Sequence, residues 1–182
     1  MKLNRRKLVK YGLAGSAVLS LAGFGLGLQG TKIIASQTPL QTLSEQEYSI
    51  LYAIANALLP ETPPFPAAHT LQVAEGVDKT LAPRAPEVQT EIKQALHLVE
   101  NALSGFVLEM RTVPFTSLSL PKQQQELAQW RTSSIQLRRK VFKALNSLCS
   151  AAYFASPKTH SLVGYDGPPA HIWEIRKAMG IQ

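Results

Sequence analysis

The chain has 182 residues, a formal net charge of +7 at pH 7 and one cysteine, Cys149. Six of the 19 basic residues lie in the first 35 positions and no acidic residue precedes Glu45, which leaves 13 basic against 12 acidic residues for the rest. This balance gives no electrostatic reason to expect a nucleic-acid partner. The single cysteine excludes an intramolecular disulfide, haem attachment through C-x-x-C-H and an iron–sulfur cluster held by cysteines of this chain.

The N-terminus has the pattern of an export signal. Arg5 and Arg6 begin a basic stretch that ends at Lys10, Leu8 stands two places after the pair, and an apolar, glycine-rich run follows from residue 11 to residue 28. Adjacent arginines ahead of a weakly hydrophobic segment resemble a twin-arginine signal, which directs the export of folded proteins. We therefore predict a signal peptide over residues 1–35, with Arg5, Arg6 and Leu8 as its recognition residues, and one domain over residues 36–182.

The apolar run is also just long enough to be a membrane anchor. Its five glycines each lower helix propensity by about 0.8–1 kcal/mol relative to alanine, which favours a signal that is removed, with a cut after Ala35. A retained anchor is the alternative. In both cases we expect an exported, periplasmic protein, which an uncleaved signal or a complex with another protein could hold at the membrane.

Residues 25–30 match the dinucleotide-binding pattern G-x-G-x-x-G, with Glu45 near the expected offset of the acidic residue. The pattern binds a pyrophosphate only as the turn between a strand and a helix. Here it closes the signal peptide, and Thr38-Pro39 follows where the helix should run. We interpret the match as accidental and predict no cofactor-binding residue in this chain.

The first predicted helix of the domain begins after Ser44 and runs to Leu59. Ser44 and Glu47 have the spacing of a capping box, and Leu43 is placed to pack against Tyr48. Apolar residues then recur every three or four positions, which predicts a helix with one core-facing stripe. The stripe consists of Tyr48, Leu51, Tyr52, Ala55, Leu58 and Leu59.

A proline-rich loop over residues 60–66 ends this helix. Its P-x-x-P spacing leaves recruitment of a proline-binding domain as an alternative role. Residues 37–42, ahead of the helix, are predicted to be a short linker. A shorter helix is predicted from Leu71 to Leu81, with Val73, Val77 and Leu81 on its core face.

The longest predicted helix runs from Glu87 to Met110 after Pro86, which suits a first helical position. Its predicted core residues are Val88, Ile92, Ala95, Leu96, Val99, Leu103, Phe106 and Met110. His97 lies within it, and we interpret this residue as a surface or hydrogen-bonded histidine because no second ligand stands three or four positions away.

Residues 112–120 are predicted to form a loop with Phe115 and Leu118 turned inward, followed by a short helix from Pro121 through Leu127 and Trp130. A final helix is predicted from Ser133 or Ser134 to Phe154. Its core stripe comprises Val141, Phe142, Leu145, Leu148, Cys149 and Ala152. Four basic residues in its first half, Arg138, Arg139, Lys140 and Lys143, predict a solvated or partner-facing side.

No run of strand length alternates between apolar and polar residues, so we predict an all-α fold, a compact helical domain of about five helices behind the twin-arginine signal. We find no G-x-S-x-G, no H-E-x-x-H and no metal-spaced pair among His69, His97, His160 and His171. We therefore predict no catalytic and no metal-binding residue. Glu109 or Asp166 could act as an acid or base only with partners that sequence does not locate.

The tail is unusual from Tyr153 onward. Ser156-Pro157 and Asp166-Gly167 are turn signals, Pro168-Pro169 is stiff, and Tyr165 stands between Gly164 and Gly167. A structural loop that caps the last helix accounts for the pattern. An aromatic residue on a tightly shaped loop is also typical of a recognition element.

This tail, behind a leucine-rich helix that ends in a proline loop, a long helix pair and a twin-arginine leader, resembles the gluconate 2-dehydrogenase subunit 3 family. The most specific part of the resemblance is Gly164-Tyr165-Asp166-Gly167-Pro168-Pro169, and we predict that these six residues bind a partner. The resemblance implies a small, non-catalytic subunit. Its expected partners are a large FAD-binding subunit of the glucose-methanol-choline (GMC) type, a cytochrome c subunit in many complexes, and the twin-arginine translocase.

In such a complex the large subunit holds FAD and oxidises a sugar, a sugar acid or an alcohol. The small subunit acts as an export escort, or chaperone, whose leader carries the folded large subunit across the membrane. Two alternatives stay open at this point. One is a stand-alone exported enzyme, and the other is a stand-alone exported helical binding or structural protein.

Overall fold

The computed structural model describes residues 31–101, 113–166 and 177–179, and these residues are helical with no β-strand. Five helices have nine residues or more and a sixth is a single turn, which confirms the predicted all-α class. The helices are α1 (Glu45–Leu58), α2 (Val73–Leu81), α3 (Pro86–Glu100), α4 (Leu120–Thr132), α5 (Gln136–Phe154) and α6 (Pro157–His160). Short 3₁₀ turns occur at Ala68–Leu71, Phe115–Ser117 and Ser161–Val163.

Helix α1 begins with the predicted capping box. The backbone N–H of Glu47 donates to Ser44 Oγ at 3.2 Å, and the N–H of Ser44 donates to Glu47 Oε2 at 2.8 Å. Two N–H groups that have no partner inside the helix are thereby satisfied. Leu43 and Tyr48 on either side of the cap are both buried.

Helix α1 is the centre of the domain. It packs against α2, α3, α4 and α5, so its buried surface is wider than the predicted stripe. Ile50 and Ile54 are fully buried along with Leu51, whereas Tyr52, Leu58 and Leu59 are only partly buried. Each fully buried side chain of this size stabilises the fold by about 1.5–3 kcal/mol.

Helices α2 and α5 approach each other closely. The predicted core residues Val73, Val77 and Leu81 of α2 are all buried. A Cβ atom built on Gly76 would lie 3.4 Å from the Cβ of Ala152, at the near limit of ordinary van der Waals contact, so the two helices leave no space for a longer side chain at residue 76. The stripe of α5 is divided between buried and half-buried residues. Val141, Leu145 and Cys149 are buried, while Phe142, Leu148 and Ala152 are partly buried against the same core.

Helix α3 is shorter than predicted. It ends at Glu100, because Asn101 adopts an extended backbone with φ −66° and ψ 115°. The predicted core residues Leu103, Phe106 and Met110 lie outside the described residues. The prediction for Val88 is wrong, since this side chain in the first turn of α3 is 42% exposed, whereas Leu96 and Val99 further along are buried.

The proline-rich loop is fixed at both ends. Thr62 and Phe65 exchange backbone hydrogen bonds across the cis Pro63–Pro64 peptide, and the N–H of Ala68 donates to the carbonyl of Leu59 at 3.0 Å. The hydroxyl of Tyr153 donates to the carbonyl of Pro66 at 2.7 Å and ties the loop to the end of α5.

The segment before α1, predicted to be a linker, is bound to the domain. We call residues 31–43 the N-terminal strap. The carboxylate of Asp78, 2% exposed, accepts hydrogen bonds from the N–H groups of Gln41, Thr42 and Leu43 at 2.7, 3.0 and 2.8 Å. The N–H of Ile34 donates to Ser49 Oγ at 2.8 Å. The strap is therefore hydrogen-bonded to α1 and α2, and it is not a free linker.

The α4–α5 corner is built around Trp130, which is 1% exposed. The guanidinium carbon of Arg138 lies 5.1 Å from the centre of its ring, and Arg138 itself is 7% exposed. The prediction that all four basic residues of this helix face outward is therefore wrong for Arg138. Arg139, Lys140 and Lys143 are exposed, as predicted.

Candidate partner-binding surface

The C-terminal turn, residues 157–166, is anchored to the end of α5. Thr159 is fully buried, and its hydroxyl donates to the carbonyl of Ser156 at 2.7 Å and contacts that of Tyr153 at 3.3 Å. The turn closes at Gly164, whose φ of +66° lies in the left-handed region that favours glycine. The N–H of Tyr165 then donates to the carbonyl of His160 at 2.9 Å.

Tyr165 is presented outward by this frame. Its ring meets the ring of His160 edge to face, with centroids 5.0 Å apart and planes at 89°. The side chain of Tyr165 is nevertheless 45% exposed. An aromatic side chain that is oriented in advance loses little conformational entropy when a partner covers it.

Further apolar side chains are exposed close to Tyr165 in the sequence. Phe154 at the end of α5 is 45% exposed and Val163 in the turn is 49% exposed. The ring of Phe154 packs edge to face against the buried ring of Tyr153 at 5.2 Å, which holds it at the surface. Phe154, Val163 and Tyr165 together are called the exposed apolar group below.

Of the six predicted partner-binding residues, the structure describes three. Gly164 forms the left-handed corner, Tyr165 carries the exposed ring, and Asp166 is exposed at the end of the described turn. Gly167, Pro168 and Pro169 lie outside the described residues. Phe154 and Val163 were not predicted as site residues, because a helical stripe gives no sign that a residue at a helix end remains uncovered.

Among the described residues five carboxylates are buried, and four of them hold other parts of the chain in place. Glu75 accepts the hydroxyl of Tyr48 at 2.8 Å, and burial is the first cause that raises the pKa of Tyr48, followed by this hydrogen bond. Glu100 accepts from the N–H and the hydroxyl of Thr116 at 2.9 and 2.6 Å. Like Asp78, these carboxylates fix one segment of the fold to another. The fifth is Glu126.

The pKa of the buried Glu47 carboxylate departs clearly from its ordinary value. Burial pushes its pKa up, but hydrogen bonds from His97 and Ser44 and the charge of Lys93 outweigh burial and lower the pKa to about 2. Nε2 of His97 lies 3.5 Å and Nζ of Lys93 lies 3.7 Å from the carboxylate oxygens. His97 is thus the hydrogen-bonded histidine that was predicted, and it joins α3 to the start of α1.

Cys149 is fully buried, and burial raises the pKa of its thiol to about 12. A thiol in this state is protonated at neutral pH and is a poor nucleophile. This agrees with the prediction that Cys149 is a small hydrophobic residue of the core.

The described residues contain neither a metal-binding cluster nor a membrane-spanning helix. No group of three or more His, Cys, Asp or Glu residues there is arranged to hold a metal ion. None of the described helices is both long and apolar enough to span a bilayer. Glu109, one of the two candidate acid–base residues, lies outside the described residues, and Asp166 is exposed in the turn.

The predicted export residues Arg5, Arg6 and Leu8 and the glycine pattern at residues 25–30 also lie outside the described residues. The predicted cut after Ala35 falls within the strap. Ser49 Oγ accepts from the N–H of Ile34 and contacts its carbonyl at 3.2 Å, and the N–H of Lys32 donates to Thr116 Oγ1 at 3.1 Å. The predicted cleavage site after Ala35 is therefore adjacent to Ile34, which is hydrogen-bonded to α1.

The model of the family described as gluconate 2-dehydrogenase subunit 3 matches residues 45–167. The match begins at the first residue of α1 and ends within the predicted partner-binding motif, so it covers the described helices. No curated protein and no solved structure matches the chain. Because the family model covers well over half of the sequence, the chain belongs to the gluconate 2-dehydrogenase subunit 3 family.

Proposed function

We propose that this protein is the small, non-catalytic subunit of an exported FAD-dependent dehydrogenase that oxidises a sugar, a sugar acid or an alcohol. Membership of a subunit family implies a complex with dehydrogenase subunits. The large subunit, of the GMC type, holds FAD, and a cytochrome c subunit can accept its electrons. The small subunit escorts the folded large subunit through the twin-arginine translocase.

The observation that carries the proposal is the exposed apolar group at the end of the family match. Buried aromatic anchors dominate the binding energy of many protein interfaces. Gly164 and His160 fix the position of Tyr165, and all three residues lie within the part of the sequence that the family model matches. We assign the exposed apolar group, with Gly164 and Asp166, to the interface with the large subunit.

The escort role is supported by the sequence of the leader. The Arg5-Arg6 pair precedes a weakly hydrophobic run, as in signals for folded cargo. A flavoprotein that binds FAD before export has to cross the membrane as a folded protein, which is the cargo that a twin-arginine signal serves. Replacing Arg5-Arg6 by Lys-Lys keeps the charge, and we expect it to retain both subunits in the cytoplasm. Unchanged periplasmic flavoprotein would refute the escort role.

The interface is tested with Tyr165→Ala in a C-terminally tagged chain expressed in its native host. We expect the amount of co-purified flavoprotein to fall by about tenfold or more, as for a central aromatic anchor. Val88→Ala is the matched control, because Val88 has a similar exposed fraction at the start of α3. Equal recovery with Tyr165→Ala and with the control would contradict the assignment of Tyr165 to the interface.

A further inference from the structure

Charge is unevenly distributed over the described domain. Between Leu127 and Tyr165 the chain has six basic residues and no acidic residue. Residues 31–101 have eight acidic and four basic residues. The half of the domain formed by α5 and the C-terminal turn is therefore positive, while the half formed by α1 to α3 is negative.

One side of helix α5 is exposed from Lys140 to Phe154. Residues 140, 143, 147, 151 and 154 are spaced by three or four positions and lie on one side of a helix. They are all exposed, whereas Val141, Leu145, Cys149 and Tyr153 on the opposite side are buried against the core. We call Lys140, Lys143, Ser147, Ala151 and Phe154 the outer α5 face. At about 1.5 Å per residue it is about 21 Å long.

The two lysines of this face are available to a partner. Ion pairs in the described part of the chain join Glu47 to Lys93 and His97 of α3, and neither Lys140 nor Lys143 contacts a carboxylate of the described residues. Arg138 is not part of the face, because it covers Trp130. The face is thus basic at its N-terminal end and aromatic at its C-terminal end, next to the turn that carries Tyr165.

The composition of the face fits a folded protein better than a bilayer. A helix that lies in a membrane surface needs a broad apolar side, and Ser147 and Ala151 in the middle of this face supply little apolar area. Protein interfaces instead combine a few aromatic anchors with a charged rim, and small residues between them permit close approach. Complementary charge then requires an acidic surface on the partner.

We propose that the outer α5 face binds an acidic strip on the surface of the flavoprotein subunit, with Lys140 and Lys143 facing carboxylates and Phe154 filling an apolar recess. This inference rests on the proposed function for the identity of the partner. It extends the interface from the C-terminal turn along about four turns of α5. It also makes assembly of the complex dependent on salt.

The test is Lys140→Glu/Lys143→Glu in the full-length tagged chain, co-expressed with its partners in the native host. The control is Lys79→Glu/Arg84→Glu, which reverses two exposed charges at the end of α2 and in the loop after it. Flavin retained per tagged chain is measured after washes at low and at high salt. Thermal melts establish that both variants fold.

We expect the wild-type protein and the control to retain the flavoprotein at low salt and to lose part of it at high salt. The α5 variant should retain about tenfold less at low salt and respond little to further salt. Retention equal to wild type at both salt concentrations would overturn this inference and leave the proposed function standing. Equal losses in the control would also overturn it.

Two other outcomes separate the alternatives. If the wild-type chain recovers no flavoprotein at any salt concentration, the proposed function fails and this inference fails with it. If the variant still retains flavoprotein but loses binding to vesicles of anionic phospholipid that the wild-type chain binds, the face is a membrane surface and the inference is overturned.

Discussion

The buried carboxylates of this domain act as fixed acceptors between segments that are distant in sequence. Asp78 is the clearest case, because it binds three consecutive N–H groups of the strap at 2.7–3.0 Å while only 2% of the residue is exposed. Hydrogen bonds to a charged group contribute more to stability than neutral ones. The C-terminal end of the strap, residues 41–43, is therefore held by one side chain of α2.

We predict that Asp78→Asn destabilises the domain by about 2–3 kcal/mol, because the amide removes the charge and presents an N–H₂ group to three donors. The strap should become the first site of proteolytic cleavage. Limited proteolysis and urea unfolding measure the two effects. Glu61→Gln, at an exposed position in the proline-rich loop, is the control and should match wild type. An Asp78→Asn strap as resistant as that of the control would contradict this role.

The lowered pKa of Glu47 predicts that the stability of the domain depends on pH in the acid range. Its pKa is lowered to about 2 in the fold from an ordinary value of 4.5, so its contribution to stability is complete above pH 4.5 and disappears as the pH falls towards 2. Glu47→Gln keeps the capping-box geometry but loses the charge that attracts His97 and Lys93.

We expect Glu47→Gln to lower the free energy of unfolding by about 1–2 kcal/mol at pH 7. The difference between wild type and variant should shrink as the pH is lowered through the interval from 4.5 to 2. Urea unfolding at a series of pH values measures it. If this difference stays constant down to pH 2, the charge of Glu47 does not contribute to stability.

The basic residues of helix α5 have two different roles. Arg138 covers the ring of buried Trp130 and fixes the corner between α4 and α5. Lys140, two positions on and so rotated by about 200°, lies on the opposite side of the helix. Arg138 therefore stabilises the fold, whereas Lys140 is exposed at the surface.

Alanine substitution should separate these tasks. We expect Arg138→Ala to cost about 1–3 kcal/mol of stability, through the lost cation–π contact and the lost packing of the arginine stem. Lys140→Ala should stay within about 0.5 kcal/mol of wild type, as for an exposed residue without such a contact. Chemical denaturation of both variants measures the difference. Similar stabilities for the two would mean that Arg138 does not brace the corner.

Local patterns in the sequence were sufficient to predict most elements. The capping box at Ser44 and Glu47 depends on residues three apart, and Pro86 and Pro121 mark helix starts by their own backbone geometry. The docking of the strap could not be predicted in this way, since Asp78 and its donors are about 35 residues apart in sequence. The burial of Arg138 likewise depends on where a different helix places Trp130.

At the scale of the molecule, the candidate surface was predicted only in part. Gly164 and Tyr165 were found because glycine and an aromatic residue form a recognisable turn motif. The exposed fractions of Phe154 and Val163 depend on how far the neighbouring elements extend, which no spacing rule states. The family match includes the motif as far as Gly167.

The proposed function requires a stoichiometric complex between this chain and a flavoprotein. The most direct test is to isolate the C-terminally tagged full-length chain from its native host and to measure the native mass and the flavin absorbance of the same chromatographic peak. We predict one peak that contains the chain, a large polypeptide and bound flavin. A colourless peak with the mass of the small chain alone would contradict the account.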